Sequence, residues 1–311
     1  MTNKLLVVCG QTGTGKTSLA IHLAKKFNGE LISADSRQVY KGLNIGTGKD
    51  IDEIKKSKVQ IWGYDLVDPK KNFSVGNYIR FAQKAISDIQ KRGKLPILVG
   101  GTGLFIKGVV DGIPTAFVPR NLKLRKNMEE KDANELFEIL AQLDPIRAGS
   151  LNRSDKLNPR RLIRGIEVAS WKLEGKVLKL FKKPKYDLLE IGLQASQNNL
   201  SKKIKKRVNK RINDGVEAEI KKLISSGISW DSQSMTSLGY RQWRDYFEGL
   251  PAGRQGKIVK DGVIDSWKKE ELRYAKRQLT WFKKDLRINW FDSSKKNFIE
   301  NVEELVKKWY P

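Results

Sequence analysis

Residues 10–17 read GQTGTGKT, which fits the pattern G-x-x-x-x-G-K-[ST]. The segments on either side give that pattern its meaning. KLLVVC, residues 4–9, is a short apolar run ending in glycine, as expected of a strand buried on both faces. TSLAIHLAKKF follows with helical spacing, turning Leu19, Leu23 and Phe27 inward and leaving His22 at the rim. A strand, a glycine-rich turn and a helix in this order form a phosphate loop, a context that a chance glycine turn lacks. Along Gly10, Gln11, Thr12, Gly13, Thr14 and Gly15, backbone N–H groups turn toward one anion, and the helix N-terminus adds its positive end. Lys16 supplies a point charge, and Thr17 supplies a hydroxyl for Mg²⁺. The loop specifies a di- or triphosphate ligand and leaves the reaction open.

The rest of the chain places this loop in an α/β fold. ELISA is a second strand ending at Asp35, residues 75–92 are an amphipathic helix, and KLPILVGGTG is a third buried strand with a glycine turn. Such alternation predicts a parallel sheet covered by helices, with ligands at the carboxyl ends of the strands. Loops 10–17, 35–40 and 100–104 are expected to meet there. Residues 114–184 are helical, charged and poor in strands, and read as an inserted helical subdomain. Residues 1–113 and 185–311 form the core with its C-terminal helices. YDLLEIGL is the strand returning to the sheet. Residues 200–225 read as one long basic helix with Ile204, Val208, Ile212, Val216 and Ile220 inward. Further helices are expected at 264–284 and 297–309.

Composition narrows the partners. The net charge is +26, from 61 Lys and Arg against 35 Asp and Glu, and it predicts attraction to a polyanion. LSKKIKKRVNKR, residues 200–211, holds seven basic residues and no acid. One cysteine, Cys9, excludes a disulfide framework and a multi-cysteine zinc site. The single histidine, His22, is placed at the rim of a helix, so neither a Ser-His-Asp set nor a histidine metal site is expected, and a general base is expected to be a carboxylate. No apolar run has the length of a membrane span, and the N-terminal stretch is too short for a signal peptide. A cytoplasmic monomer is expected.

Asp35 is the candidate base, or a water-mediated Mg²⁺ ligand, or a turn residue. Its neighbours Ser36, Arg37, Gln38 and Tyr40 suit a planar base. Thr102 stands at the third strand end. Arg161 and Arg164 share a helix face. Arg207 borders a buried stripe, from which it can reach a cleft. SLGYRQW and YAKRQLTWFKK interleave cations with rings, a combination that serves RNA as readily as a core.

Seven blocks together resemble the tRNA dimethylallyltransferases: GQTGTGKT, LISADSRQVYKGLNIGTGK, LVGGTGLFIKG, NPRRLIRGIEV, RINDGVEAEI, SLGYRQ and AKRQLTWF. They occur in the family's order across most of residues 4–292. The resemblance implies transfer of a dimethylallyl group from dimethylallyl diphosphate to N6 of the adenine beside the anticodon, position 37 of tRNA. Asp35 would accept the N6 proton, and Ser36, Arg37 and Gln38 would line the adenine pocket. Lys16, Thr17, Mg²⁺ and Arg207 would neutralise the departing diphosphate. Thr102 and Arg125 would contact tRNA near the flipped base. The anticodon stem-loop would be held by Arg160, Arg161, Leu162, Ile163 and Arg164, by Ser237, Leu238, Gly239, Tyr240, Arg241 and Gln242, and by Lys276, Arg277, Gln278, Leu279, Thr280, Trp281, Phe282 and Lys283. Two departures stand out. Gln11 occupies a position where the family usually has proline, and Leu250 to Lys257 looks like an insertion. A small-molecule kinase, an enzyme prenylating free nucleotide and a non-catalytic RNA-binding ATPase remain as alternatives. The first two fit the basic, aromatic C-terminal third less well, and the third lacks a clear second metal-binding acid beyond Asp35.

Overall fold

A computed structural model describes residues 3–175, 186–249 and 259–311. The chain divides into two compact units, Met1–Val110 with Lys185–Pro311, and Asp111–Pro184. The expected insertion at Leu250 to Lys257 lies outside the described residues.

The larger unit begins with β1 (Lys4–Gly10), α1 (Lys16–Lys26), β2 (Gly29–Ser33), α2 (Ile51–Ser57), β3 (Ile61–Trp62), α3 (Val75–Lys91), β4 (Leu95–Val99) and α4 (Gly103–Val110). The smaller unit holds α5 (Leu122–Met128), α6 (Ala133–Leu143), α7 (Pro145–Gly149), α8 (Arg153–Lys156) and α9 (Pro159–Leu173). The chain then resumes the larger unit with β5 (Asp187–Gln194), α10 (Gln197–Asn213), α11 (Val216–Ser225), α12 (Arg244–Phe247), α13 (Lys260–Phe282), β6 (Ile288–Asp292) and α14 (Phe298–Trp309). No helix among the described residues is long and apolar enough to cross a membrane.

The six strands form one sheet in the order β3-β2-β4-β1-β5-β6, with every pairing parallel. Alternation along β1 sends Leu5, Val7 and Cys9 to one face and Leu6 and Val8 to the other. The first face packs on α3, α4, α10, α11 and α13 through residues such as Tyr78, Phe105, Ile204, Ile220 and Trp267. The second packs on α1 and α14 through Leu19, Leu23, Val302 and Val306. Burial on both faces explains why β1 and β4 are continuous apolar runs. The smaller unit has its own core of Leu136, Leu140, Ala148, Leu162, Ile163, Ile166 and Ala169.

Local signals set the boundaries. Ser74 caps α3, accepting from the Asn77 N–H at 3.1 Å, and Asp132 and Glu135 form a capping box on α6. Two expectations are corrected. Residues 200–225 are two helices, because Gly215 adopts φ of 92° between α10 and α11. The apolar spacing survives the break, which is why the sequence reads as one helix. The sheet also has edge strands β3 and β6 that the sequence reading lacked.

Candidate active site

The strand order decides which loops meet. β4 lies between β1 and β2, so the loops after β1, β4 and β2 emerge side by side. The chain can leave β1 only at a residue without a side chain. Gly10 has φ of 121°, and a Cβ there would lie 2.2 Å from the Leu193 carbonyl oxygen of β5. The Gln11 N–H donates to that same carbonyl at 3.2 Å. Gly15 at φ of 87° then feeds the chain into α1.

Cations converge on this loop. Lys16 Nζ donates to the Gln11 carbonyl at 2.7 Å, and Arg207 reaches over from α10 to donate to Thr12 Oγ1. Burial, and then the Arg207 charge, hold the Lys16 ammonium down at about 8. Arg211, one turn beyond Arg207, pairs with buried Glu271 at 2.9 Å, and Trp267 Nε1 donates to the same carboxylate at 3.2 Å. Burial and the neighbouring Arg207 lower Arg211 to about 10. Glu271 stays below the ordinary carboxylate range, because Arg211 and Arg207 outweigh its burial. Cys9, beneath the loop, is pushed well above the ordinary thiol range by burial and then by Glu190, so it is no nucleophile.

The second loop, Asp35 to Gln38, is held by its neighbours. Asp35 Oδ1 accepts from the Arg37 N–H at 2.8 Å, Thr102 N donates to the Ala34 carbonyl at 3.1 Å, and Ser36 N donates to Thr102 Oγ1 at 3.0 Å. Arg37 Nη1 donates to the Gln233 carbonyl at 2.5 Å. Gln38 accepts from Ser33 Oγ at 2.8 Å and donates to the Gly48 carbonyl at 3.1 Å. Gly100 permits this approach, since a Cβ there would sit 2.3 Å from the Ala34 carbonyl oxygen. Asp35 keeps its side chain half-buried at the junction. Burial, and then the Asp35 charge, raise the nearby Tyr274 phenol well above its ordinary range.

Several functional side chains were not singled out from the sequence. Glu219 of α11 accepts from the N–H groups of Asn44, Ile45 and Gly46 at 2.9–3.1 Å and from the Tyr240 hydroxyl at 2.5 Å. That carboxylate shapes the loop whose Gly48 lies against Arg207 and Arg211. Lys49, its side chain wholly buried, ties the loop to the Tyr40 carbonyl at 2.8 Å and to Asp65 at 2.7 Å. A lysine in a glycine-rich segment and a glutamate on a charged helix gave no signal of their own.

The residues expected to hold RNA fall into two groups. On α9, Arg160 and Arg161 are exposed, and Arg161 pairs with Asp155. Leu162 and Ile163 face the small core instead, at 0% and 8% exposure. The i, i+4 spacing from Leu162 to Ile166 dictates this. Arg125 grips Glu167 through two nitrogens at 2.7 and 2.8 Å. Arg164 donates to Glu167 and to the carbonyls of Thr115 and Val118 at 2.7–3.0 Å. Both guanidiniums therefore brace the small unit. In the larger unit Ser237, Gly239, Tyr240, Gln278 and Phe282 are buried, whereas Arg241, Lys276, Arg277, Thr280, Trp281 and Lys283 are exposed. Leu238, Gln242 and Leu279 are half-buried. The buried members pack inside the protein and support the exposed ones.

The IPP transferase family model matches residues 38–285. The chain is 38% identical to the tRNA dimethylallyltransferase of Carboxydothermus hydrogenoformans, over 98% of this chain and 97% of that one. It is 36% identical to the tRNA dimethylallyltransferase of Anoxybacillus flavithermus, over 98% and 96%. Among solved structures, it is similar to the full-length tRNA isopentenylpyrophosphate transferase of Bacillus halodurans, with TM-score 0.73 and 33% identity over 99% and 97% of the two chains. It is also similar to a eukaryotic dimethylallyltransferase acting on tRNA, with TM-score 0.80 and 25% identity over 97% of this chain and 77% of that one.

Proposed function

Because the chain belongs to the IPP transferase family, we propose that it transfers a dimethylallyl group from dimethylallyl diphosphate to N6 of the adenine next to the anticodon of tRNA. It is an enzyme of the prenyltransferase class. The observation that carries the finer reading is one juxtaposition: a phosphate loop joined by Lys16 and Arg207, with a carboxylate, Asp35, two strands away.

The donor's diphosphate sits against the backbone N–H groups of residues 10–15. Its charge grows as the C1–O bond breaks, and Lys16 and Arg207, fixed in advance, stabilise that charge. The adenine amine is a weak nucleophile, because its lone pair is delocalised into the ring. Ser36, Arg37 and Gln38 hold the base so that N6 faces C1 of the prenyl chain. The N6–C1 bond forms, the C1–O bond breaks, the diphosphate leaves with the bonding electrons, and Asp35 takes the N6 proton. An adenine in a stacked loop is out of reach, so the base is flipped out.

Mg²⁺ fits this donor set. Mg²⁺ sites in general use one or two protein oxygens together with substrate phosphates and water. Among the described residues no group of three His, Cys, Asp or Glu side chains is placed to hold a metal. The Thr17 hydroxyl would hold the ion beside the diphosphate, and the ion would supply further charge neutralisation there.

The test is mass analysis of nucleosides from unmodified tRNA incubated with the protein, Mg²⁺ and dimethylallyl diphosphate. The expected product is isopentenyladenosine, absent with Asp35→Ala although that variant still binds tRNA. Turnover of ATP without RNA, and no prenylated nucleoside, would replace this reading with a kinase or ATPase.

A further inference from the structure

Helix α13 has two unlike faces. Outward, Arg273, Lys276, Arg277, Thr280 and Trp281 line a shallow trough. Inward, its buried residues are Val263, Trp267, Glu271, Ala275, Gln278 and Phe282, a stripe interrupted by two polar side chains. Glu271 is explained by its pairing with Arg211. Gln278 stands elsewhere, at 5% exposure, and its amide uses both ends. Oε1 accepts from the Thr12 N–H at 2.7 Å, and Nε2 donates to the Gly101 carbonyl at 2.9 Å.

Those two partners belong to different halves of the reaction. Thr12 is in the diphosphate loop, and its Oγ1 receives Arg207. Gly101 precedes Thr102, which accepts from the Ser36 N–H in the loop assigned to the adenine. The fit is close, because a Cβ on Gly101 would lie 2.1 Å from Gln278 Nε2. A second contact runs the same way one turn earlier, where Gln11 Nε2 donates to the Ala275 carbonyl at 3.4 Å.

We infer that Gln278 is a positioning residue: its amide fixes the diphosphate loop and the adenine loop to a single helix, and so sets the distance between donor and acceptor. The inference rests on the prenyl-transfer reading for the identity of the acceptor, but its diphosphate arm does not. An amide is required at this position. A carboxylate keeps the acceptor for Thr12 but leaves the Gly101 carbonyl to the longer bond from the Tyr274 hydroxyl, at 3.5 Å, and puts a negative charge beside the anion loop. A thioether of similar volume offers neither strong partner.

Two variants test this, Gln278→Met and Gln278→Glu, each with its melting curve recorded. Inorganic diphosphate with Mg²⁺ probes the anion loop without RNA, and tRNA binding is measured separately. Loss of a buried hydrogen-bond partner, at about 1–3 kcal/mol, corresponds to roughly a fivefold to hundredfold effect. The expected result is diphosphate affinity weakened by about tenfold or more in both variants, kcat reduced at saturating donor, and tRNA affinity within about twofold of the parent. Weakened tRNA affinity with unchanged diphosphate affinity would make Gln278 an RNA contact and overturn the assignment. No change in either, or equal losses in both, overturns it as well. If the parent transfers nothing to tRNA, the prenyl-transfer reading fails, while the diphosphate titration still decides whether Gln278 positions the anion loop.

Discussion

On the proposed function, Lys16 makes the anion site sensitive to pH. Its ammonium is held down at about 8 by burial and by Arg207, whereas an exposed lysine titrates near 10.4. A bound diphosphate favours the charged form, so above pH 8 binding requires the protein to take up a proton. Affinity for diphosphate is therefore expected to be level below pH 8 and to fall as pH rises beyond it, by up to about tenfold per pH unit. Lys16→Met should bind weakly and lose that dependence. Isothermal titration between pH 7 and 9.5 checks it, and a level affinity in the parent protein would refute the charge role. The loop itself was legible because glycines, lysine and threonine at fixed offsets have a single mechanical use. Gln278 and Leu162 were not, because a block of residues matched as a unit does not say which members turn inward. Spacing does say so. Leu162 is four residues from Ile166, and Gln278 continues the stripe from Glu271 and Ala275. A polar side chain in an apolar stripe is the sign of a buried partner.

Among the elements, α9 shows how one helix divides its duties. Its outward turn carries Arg160 and Arg161, and its inward side closes the core with Leu136 and Leu140 of α6. Leu162→Ala is expected to cost about 2–5 kcal/mol through lost burial and the cavity left behind. Hydrogen exchange should show faster opening across α6 and α9, with protection in β1, β4 and β5 unchanged. Equal loss of protection in the sheet would mean that the small core does not stand by itself. The major elements were readable because β1 and β4 are buried on both faces and the helices have strong apolar stripes. The edge strands were not. β3 has only two residues, and β6 reads INWFD, of which Ile288 alone is buried, so neither offers a continuous apolar run.

For the whole molecule, a net charge of +26 predicts an electrostatic component in RNA binding. Each phosphate contact releases counterions, so the logarithm of the tRNA binding constant should fall linearly with the logarithm of salt concentration, by about 0.7–0.9 per contact. Filter binding from 50 to 300 mM salt measures the slope, and a flat response would refute a phosphate-tracking surface. The order of the strands also bears on how the protein is made. The phosphate loop lies at the N-terminus, yet Leu193 braces it from behind and Gln278 from the side. A ribosome adding about 5–20 residues per second needs roughly ten to fifty seconds to pass from Lys16 to Gln278. Through that interval the nascent chain already carries the full GQTGTGKT sequence without the supports that shape it. On the proposed reading, the anion site is thus completed only once Gln278 has been made, long after its own loop.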